Sequence, residues 1–247
     1  MADSWLLVDQ GNTRLKWLFA RGGRIQKETV GRGDFEAFSQ AVSGAAPERV
    51  LFSSVAGEDA AEQVTLFSQT AWGLEAERLR SRAKQGGVRN AYAEPQMLGV
   101  DRWLAIVGAV ARHGRPVVVW DLGTAATLDA VDAAGRHLGG LILPGPRTML
   151  QSLRRDTRLT VPEDQDVPAV IGAASRIVGT STAECISRGV FAAQLGAFER
   201  FVGRLGKSLG GDPVVVVTGG AAEPLLPLLD FELVYDPWLV FRGMLVE

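Results

Sequence analysis

The sequence predicts an α/β protein built from two similar domains. An apolar run that ends in Asp-x-Gly occurs twice, at residues 9–11 and again at residues 121–123. Each copy is followed by two strand-like segments joined by turn residues, and then by alternating helical and extended patterns. Because the same order recurs without a long linker, we expect a duplicated unit whose two domains face a cleft.

The first domain is expected to span residues 1–114. Turn residues such as Arg21-Gly22-Gly23 predict a meander of strands, and apolar residues at helical spacing predict the helices that follow. Asp34 or Gly33 is expected to cap the first helix. The expected strands are 5–9, 15–20, 24–30 and 49–54, and the expected helices are 34–42, 59–70 and 103–112, with a loop at 86–95.

The second domain is expected to span residues 115–247. Its meander turns at 132–135, and Thr182 is expected to cap a long helix that reaches about Leu205. The expected strands are 117–121, 126–131, 137–143, 213–217 and 232–235, with a loop at 161–172. One helix is expected to start near residue 147, a second to end at about residue 229, and a third to start at residue 238.

Composition excludes several classes of function. A formal net charge of −2 disfavours a general binder of nucleic acid or of membrane surfaces, which would carry excess Lys and Arg. We expect no signal peptide and no membrane span. With one cysteine, Cys185, and two histidines, His113 and His137, neither a disulfide framework nor a zinc centre is expected. We therefore expect a cytoplasmic protein whose chemistry rests on carboxylates, hydroxyls and backbone amides.

The two Asp-x-Gly hairpins are candidate phosphate sites. Glycine lets the backbone approach a phosphate closely, and consecutive amides can then converge on the anion. Thr13 or Thr124 can add a hydroxyl donor, Lys16 can reach the same mouth, and Asp9 can hold Mg²⁺ or its waters. One such motif alone is more simply a β-turn. Two copies at equivalent places favour phosphate binding.

Two glycine motifs of the second half are candidate nucleotide contacts. Gly139-Gly140 precedes a Pro144-Gly145 break, and Thr218-Gly219-Gly220 ends an apolar strand, where ligands approach an open α/β sheet. Either motif alone could simply separate two elements. Taken with the hairpins, they would provide the α-phosphate and adenosine contacts.

These motifs carry a family resemblance. The hairpins and the Thr-Gly-Gly turn resemble the superfamily of acetate and sugar kinases, heat-shock ATPases and actin. The segment Tyr92-Ala93-Glu94-Pro95-Gln96-Met97-Leu98-Gly99-Val100-Asp101-Arg102-Trp103, in the same motif order, resembles type III pantothenate kinase, a family that includes sequences named Bvg accessory factor. The resemblance implies duplicated ribonuclease-H-like (actin-like ATPase) domains, each a mixed five-stranded sheet with helices.

The resemblance also implies an activity and roles for residues. The activity is ATP-dependent phosphorylation of pantothenate to 4′-phosphopantothenate, the first step toward coenzyme A. Asp101 would be the general base, Asp121 would bind potassium or ammonium, and Thr182 would reach the substrate from the other subunit of a homodimer. The implied pantothenate pocket is Tyr92, Gly99, Val100, Asp101, Arg102 and Thr182. The implied ATP contacts are Asp9, Gln10, Gly11, Asn12, Thr13, Arg14, Leu15, Lys16 and Thr124.

Alternatives remain open from the residues themselves. Asp101 could cap the helix that follows it, with Arg102 in solvent, since Asp favours helix starts. Thr180 competes with Thr182 for the same role. The chain could phosphorylate another small hydroxylated metabolite, or it could be a non-catalytic nucleotide-binding regulator. The presence of Asp9, Asp101 and Asp121 favours an enzyme over a regulator.

Overall fold

The computed structural model describes residues 4–162 and 178–246. The chain divides into two compact units, one made of Met1–Gly114 with Trp238–Glu247 and the other of Arg115–Pro237. The units divide after Gly114, and the last ten residues, which were expected in the second domain, group with the first unit. Most of the loop predicted at 161–172 lies outside the described residues.

The sheet of the first unit has five strands. They are β1 (Ser4–Gln10), β2 (Leu15–Arg21), β3 (Arg24–Gly33), β4 (Arg49–Ser54) and β5 (Glu77–Arg78), in the spatial order β3-β2-β1-β4-β5. The first three strands are antiparallel, as the short glycine turns predict, and β4 and β5 continue the sheet in parallel. The two faces of β1 have different neighbours, since alternate residues point to opposite sides.

One face of this sheet packs on two helices, α1 (Phe35–Val42) and α2 (Glu58–Trp72). Leu6 and Val8 belong to that core together with an aromatic cluster in which Phe67 contacts Phe38 and Trp72 edge-on or tilted. Asp34 caps α1 by accepting a hydrogen bond from the amide of Ala37 at 2.9 Å, as expected.

The predicted loop at 86–95 overlaps a small hairpin and meets a 3₁₀ turn at its end. Strands β6 (Lys84–Gln85) and β7 (Val88–Arg89) pair with each other, and the 3₁₀ turn covers Pro95–Met97. Helix α3 (Val100–His113) follows and is buried along most of its length. Its N-cap is Gly99, so the helix starts three residues earlier than predicted and Asp101 lies inside its first turn rather than capping it.

The sheet of the second unit repeats the first. Its strands are β8 (Val117–Leu122), β9 (Ala125–Val131), β10 (His137–Pro144), β11 (Val214–Thr218) and β12 (Val234–Tyr235), in the order β10-β9-β8-β11-β12. The directions also repeat, antiparallel across β10, β9 and β8 and parallel for β11 and β12. The duplicated α/β architecture predicted from the paired motifs is confirmed.

Helices cover one face of the second sheet. They are α4 (Pro146–Asp156) and α5 (Thr182–Leu205), and short 3₁₀ turns occupy Gly206–Leu209 and Glu223–Leu228. Trp120 stacks on Phe198 of α5, and Phe198 stacks on Phe231. One prediction was wrong here, since the N-cap of α5 is Ser181 and not Thr182. The helix predicted to run up to residue 229 is a 3₁₀ helix at Glu223–Leu228, within which Pro227 has no amide hydrogen to donate to an α-helical bond.

The final helix, α6 (Leu239–Met244), packs on α3 of the first unit. The two helices approach closely because glycines face each other. A Cβ on Gly243 would lie 2.0 Å from the carbonyl oxygen of Leu104, and a Cβ on Gly108 would lie 2.3 Å from that of Leu239. This contact explains why the last residues group with the first unit. None of the described helices is both long and apolar enough to cross a bilayer.

Candidate active site

Asp9 is the last residue but one of β1, the central strand of the first unit, and has two polar partners. It lies opposite Lys16 in the β1–β2 register and opposite Ser53 in the β1–β4 register. Directly paired residues project to the same face, so the three side chains stand in a row. The fully buried Ser53 hydroxyl donates a hydrogen bond to Oδ1 of Asp9 at 2.9 Å. Sequence reasoning missed Ser53, although a hydroxyl residue after Val50-Leu51-Phe52 marks a polar end to a buried strand.

The surroundings of Asp9 have opposing effects on the pKa of its carboxyl group. Burial raises the pKa of the Asp9 carboxyl above its ordinary value, while the Lys16 ammonium and the Ser53 hydroxyl act to lower it. The Asp101 carboxylate acts to raise the pKa of Asp9 further. The carboxylates of Asp9 and Asp101 therefore repel each other, although 92 positions of sequence separate the two residues. A cation or a proton between them would relieve this repulsion.

The first hairpin turns at Gly11, whose amide donates to the carbonyl of Arg14 at 3.1 Å. The side chains of Asn12, Thr13 and Arg14 are exposed at the turn. Such an exposed turn is accessible to a phosphate chain from solvent.

The side chains of two residues predicted as ATP contacts point away from the exposed turn of the first hairpin. Gln10 is buried and donates from Nε2 to the carbonyl of Ala60 in α2 at 3.0 Å. Leu15 is buried in the core that packs on α1 and α2. Both side chains lie on the face of the sheet opposite to Asp9, because neighbours along a strand alternate. Any contact that these two residues make with ATP would come from their backbone.

The predicted substrate segment folds over the start of α3. Oδ1 of Asp101 accepts a hydrogen bond from the amide of Arg102 at 2.7 Å. A Cβ on Gly99 would lie 2.8 Å from the same oxygen, so a side chain at this position would displace the carboxylate from its present place. A carboxylate in the first turn also interacts favourably with the helix dipole.

Arg102 is buried, contrary to the alternative that placed it in solvent. One of its guanidinium nitrogens donates to the hydroxyl oxygen of Tyr92 at 3.2 Å. The structure thus brings Tyr92, Gly99, Asp101 and Arg102 together in the first unit, with the Asp101 carboxylate within electrostatic range of Asp9. A buried guanidinium beside a phenol offers a suitable place for a carboxylate ligand.

The second hairpin is surrounded by the glycine motifs of its own unit. The carbonyl of Thr124 accepts hydrogen bonds from the amide of Gly145 and the hydroxyl of Thr148, at 2.9 Å and 2.6 Å. A Cβ on Gly145 would lie 2.1 Å from the carbonyl oxygen of Gly123, and a Cβ on Gly219 would lie 2.4 Å from Oδ1 of Asp121. Motifs that are far apart in sequence therefore meet at this turn.

The aspartates of the two hairpins have equivalent neighbours. Thr218 on β11 lies opposite Asp121 on β8, as Ser53 on β4 lies opposite Asp9 on β1. Each half thus places a hydroxyl residue, at the end of an apolar strand, beside its hairpin aspartate. The duplication extends from the fold to the polar residues of the site.

Thr182 is exposed in the first turn of α5. The competing residue, Thr180, is occupied locally, since its amide and its hydroxyl both donate to Oε2 of Glu184 at 2.7 Å and 3.1 Å. Ser181 completes the helix start by accepting from the amide of Glu184 at 3.3 Å. Of the two threonines, Thr182 is the one whose side chain is directed to solvent rather than to the cap.

Comparison with known proteins identifies the family. The family model for type III pantothenate kinase matches residues 5–204. The chain belongs to the type III pantothenate kinase family. Type III pantothenate kinases from Thiobacillus denitrificans and Alcanivorax borkumensis are 36% and 34% identical to it. The first alignment covers 99% of this chain and 96% of the relative, and the second covers 97% and 96%.

Solved structures show the same fold. A conserved putative Baf family transcriptional activator from Campylobacter jejuni superposes with a TM-score of 0.59 at 22% identity, over 97% of this chain and 94% of that one. An activator of 2-hydroxyisocaproyl-CoA dehydratase from Clostridium difficile, with bound ADPNP, gives 0.55 at 13% identity over 99% and 92%. The fold is therefore the actin-like ATPase fold, with two ribonuclease-H-like domains, as the resemblance implied.

The membership establishes the activity. This kinase phosphorylates pantothenate with ATP as co-substrate, in coenzyme A biosynthesis. The expectation drawn from the motifs is confirmed, and a kinase for another metabolite or a non-catalytic regulator is not favoured.

Proposed function

We propose that Asp101 is the general base that accepts the proton from the 4′-hydroxyl of pantothenate as this oxygen attacks the γ-phosphorus of ATP. The observation that supports this role is the placement of Asp101 in the first turn of α3, close enough to the hairpin residue Asp9 for the two charges to interact. Phosphoryl transfer requires mainly alignment and charge stabilisation, so a carboxylate beside the phosphate hairpin suits the attacking hydroxyl. Replacement of Asp101 tests the role, as developed in the Discussion.

Arg102 is proposed to bind the carboxylate of pantothenate, together with Tyr92. The guanidinium is buried and already bonded to the Tyr92 hydroxyl, so its orientation is set before substrate arrives. A planar guanidinium can donate to both carboxylate oxygens at once. Gly99 and Val100 would line the same pocket, since they form the chain that leads into α3.

Replacing Arg102 by leucine is expected to raise KM for pantothenate about 10- to 100-fold, the loss typical of a hydrogen bond to a charged group. The matched comparison uses an analogue in which a primary alcohol replaces the carboxylate. Steady-state kinetics should show that the native enzyme prefers pantothenate and that Arg102→Leu has lost this preference. An equal preference in both proteins would contradict the assignment.

The hairpins are proposed to hold the phosphates of ATP, with Mg²⁺ on the side of Asp9. Ser53 occupies Oδ1 of Asp9, while Oδ2 makes no hydrogen bond within residues 4–162 and 178–246. No three His, Cys, Asp or Glu side chains gather in that part of the chain. The residues therefore fit an ion held by one carboxylate, waters and phosphate oxygens, which is the usual Mg²⁺ environment. Mg²⁺ would neutralise phosphate charge, and Lys16, Asn12, Thr13 and Thr124 would donate to phosphate oxygens.

Asp121 is proposed to bind the monovalent cation, potassium or ammonium. Its carboxylate lies against the bare backbone of Gly219, where a larger residue would collide with it. Carboxylate and backbone carbonyl oxygens are the ligands that hard cations take. The two equivalent aspartates would then serve different ions.

Thr182 is proposed to complete the site of the other subunit in a homodimer. Its exposure at the start of α5 supports this. Further support comes from the edge strand β10, where Leu141 and Ile142 are 41% and 65% exposed, because an exposed apolar edge favours pairing with another chain.

Both substrates are cytoplasmic metabolites, so we place the enzyme in the cytoplasm.

Cross-complementation tests the shared site. Asp101→Asn and Thr182→Arg should each be inactive alone, because the first lacks the base and the second fills the partner's pocket. Equal amounts that are unfolded and refolded together are expected to regain roughly one quarter of native activity, since half of the pairs are hybrids with one intact site. No recovery, with hybrids detected by mass, would mean that Thr182 acts within its own subunit.

A further inference from the structure

Residues 81–90, which contain the small β6–β7 hairpin, make hydrogen bonds to the substrate segment. Three polar side chains from residues 81–90 donate or accept hydrogen bonds at different points of residues 92–103. The Ser81 hydroxyl donates to the carbonyl of Leu98 at 2.7 Å, just ahead of Gly99. Oε1 of Gln85 accepts from the indole nitrogen of Trp103 at 2.8 Å. The third residue, Asn90, is joined to the segment most extensively.

The side chain of Asn90 uses both ends of its amide. Oδ1 accepts from the backbone amide of Tyr92 at 3.0 Å. Nδ2 donates to the carbonyls of Arg82 and Pro95, at 3.2 Å and 3.3 Å. The backbone amide of Asn90 adds a bond to the carbonyl of Ala83 at 3.0 Å. Asn90 therefore joins the hairpin behind it to both ends of the loop from Tyr92 to Pro95.

The consequences reach the buried guanidinium. Tyr92 follows Asn90 by two residues, and its hydroxyl accepts a hydrogen bond from Arg102. The 3₁₀ turn that begins at Pro95 leads to Gly99 and to the start of α3. A change in the backbone at Tyr92 or Pro95 would therefore displace the phenol that orients Arg102. Backbone hydrogen bonds made by an asparagine side chain are a common way to fix a turn.

We propose that Asn90 is a positioning residue for pantothenate, because its amide holds the loop that carries Tyr92 in the place that orients Arg102. This inference rests on the proposed contact of Tyr92 and Arg102 with the substrate. Asn90 would touch neither pantothenate nor ATP. Its effect should therefore fall on the binding of pantothenate and leave the nucleotide side of the reaction unchanged.

The test measures KM for each substrate separately in two variants. Asn90→Ala removes all three side-chain bonds, whereas Asn90→Asp keeps the acceptor for Tyr92 and sets an oxygen against the carbonyls of Arg82 and Pro95. We expect both variants to raise KM for pantothenate, Asn90→Ala by about tenfold, a ratio equal to about 1.4 kcal/mol. KM for ATP should stay within about twofold of the native value. Calorimetry should show the same loss of pantothenate affinity without ATP.

Controls separate positioning from general destabilisation. Gln26→Ala removes another partly buried side-chain amide that bonds to a backbone carbonyl, near the start of β3, and should leave both KM values unchanged. An unchanged KM for pantothenate in Asn90→Ala would overturn the proposal, as would equal losses for both substrates with a lowered Tm. A native pantothenate KM in Arg102→Leu would instead contradict the proposed function, so the two failures can be told apart.

Discussion

Replacing Asp101 by asparagine is expected to lower kcat for pantothenate phosphorylation by about 10²–10⁴-fold, the range contributed by a positioned general base. The amide has nearly the same size and can still accept a hydrogen bond from the amide of Arg102, so the start of α3 should be preserved. It cannot take the proton from the attacking hydroxyl. KM for pantothenate should therefore change little while kcat falls.

Rapid-quench measurement of a single turnover would locate the defect of Asp101→Asn in the chemical step. Asp59→Asn is the matched control, because Asp59 is also an acid in the first turn of a helix, α2, but is exposed. Its kcat should equal the native value. Native turnover by Asp101→Asn would eliminate the base role and leave Asp101 as a residue that only stabilises the helix.

Replacing Asp9 by asparagine is expected to change activity and stability in opposite directions. Activity should fall by about 10²–10³-fold, as for loss of one preorganised electrostatic group. The Tm of the metal-free protein should rise at pH 7.5. Burial raises the pKa of the Asp9 carboxyl, so the folded protein bears a cost for this charge that asparagine does not bear.

The Tm difference between Asp9→Asn and the native protein is expected to depend on pH. Because the folded pKa of Asp9 is raised, the cost is present above that pKa and disappears as pH falls through it and the native carboxyl gains a proton. The Tm difference between Asp9→Asn and the native protein should therefore shrink toward acid pH. A lower Tm for the variant at pH 7.5 would show that attraction by Lys16 and the Ser53 hydrogen bond outweigh the cost of burial.

Local patterns carried most of the fold. The meanders, the strand at 49–54 and the N-cap of α1 follow from turn residues, alternation and capping, which involve residues close together in the chain. Where prediction failed, adjacent candidates competed, as at the start of α5, where Ser181 and not Thr182 makes the cap. The repeat of Asp-x-Gly also predicted the shared order of strands, because both halves encode the same local turns in the same order.

The direction of the side chains in the first hairpin was harder to predict from the sequence. Residues 9–16 were all expected at the phosphates, yet Gln10 and Leu15 face α2 and the core. Strand alternation could have separated them from Asp9 and Lys16, but which face carries the helices is decided by packing between distant segments. The hairpin register that places Asp9 opposite Lys16 follows from the short turn between the two strands. The residue of β4 that lies beside Asp9 could not be predicted in this way.

The sequence by itself determined the duplicated α/β fold, the two hairpins and the family, because glycine turns, strand alternation and contiguous motifs are encoded by neighbouring residues. Only the tertiary structure decided which distant groups surround them. The contact of Ser53 with Asp9 depends on strand pairing, and the contact of Ser81 with the carbonyl of Leu98 depends on how two loops pack. The return of α6 to the first unit depends on the close approach of Gly243 to Leu104. Such contacts arise where backbones far apart in the chain meet, and no local pattern specifies which backbones these will be.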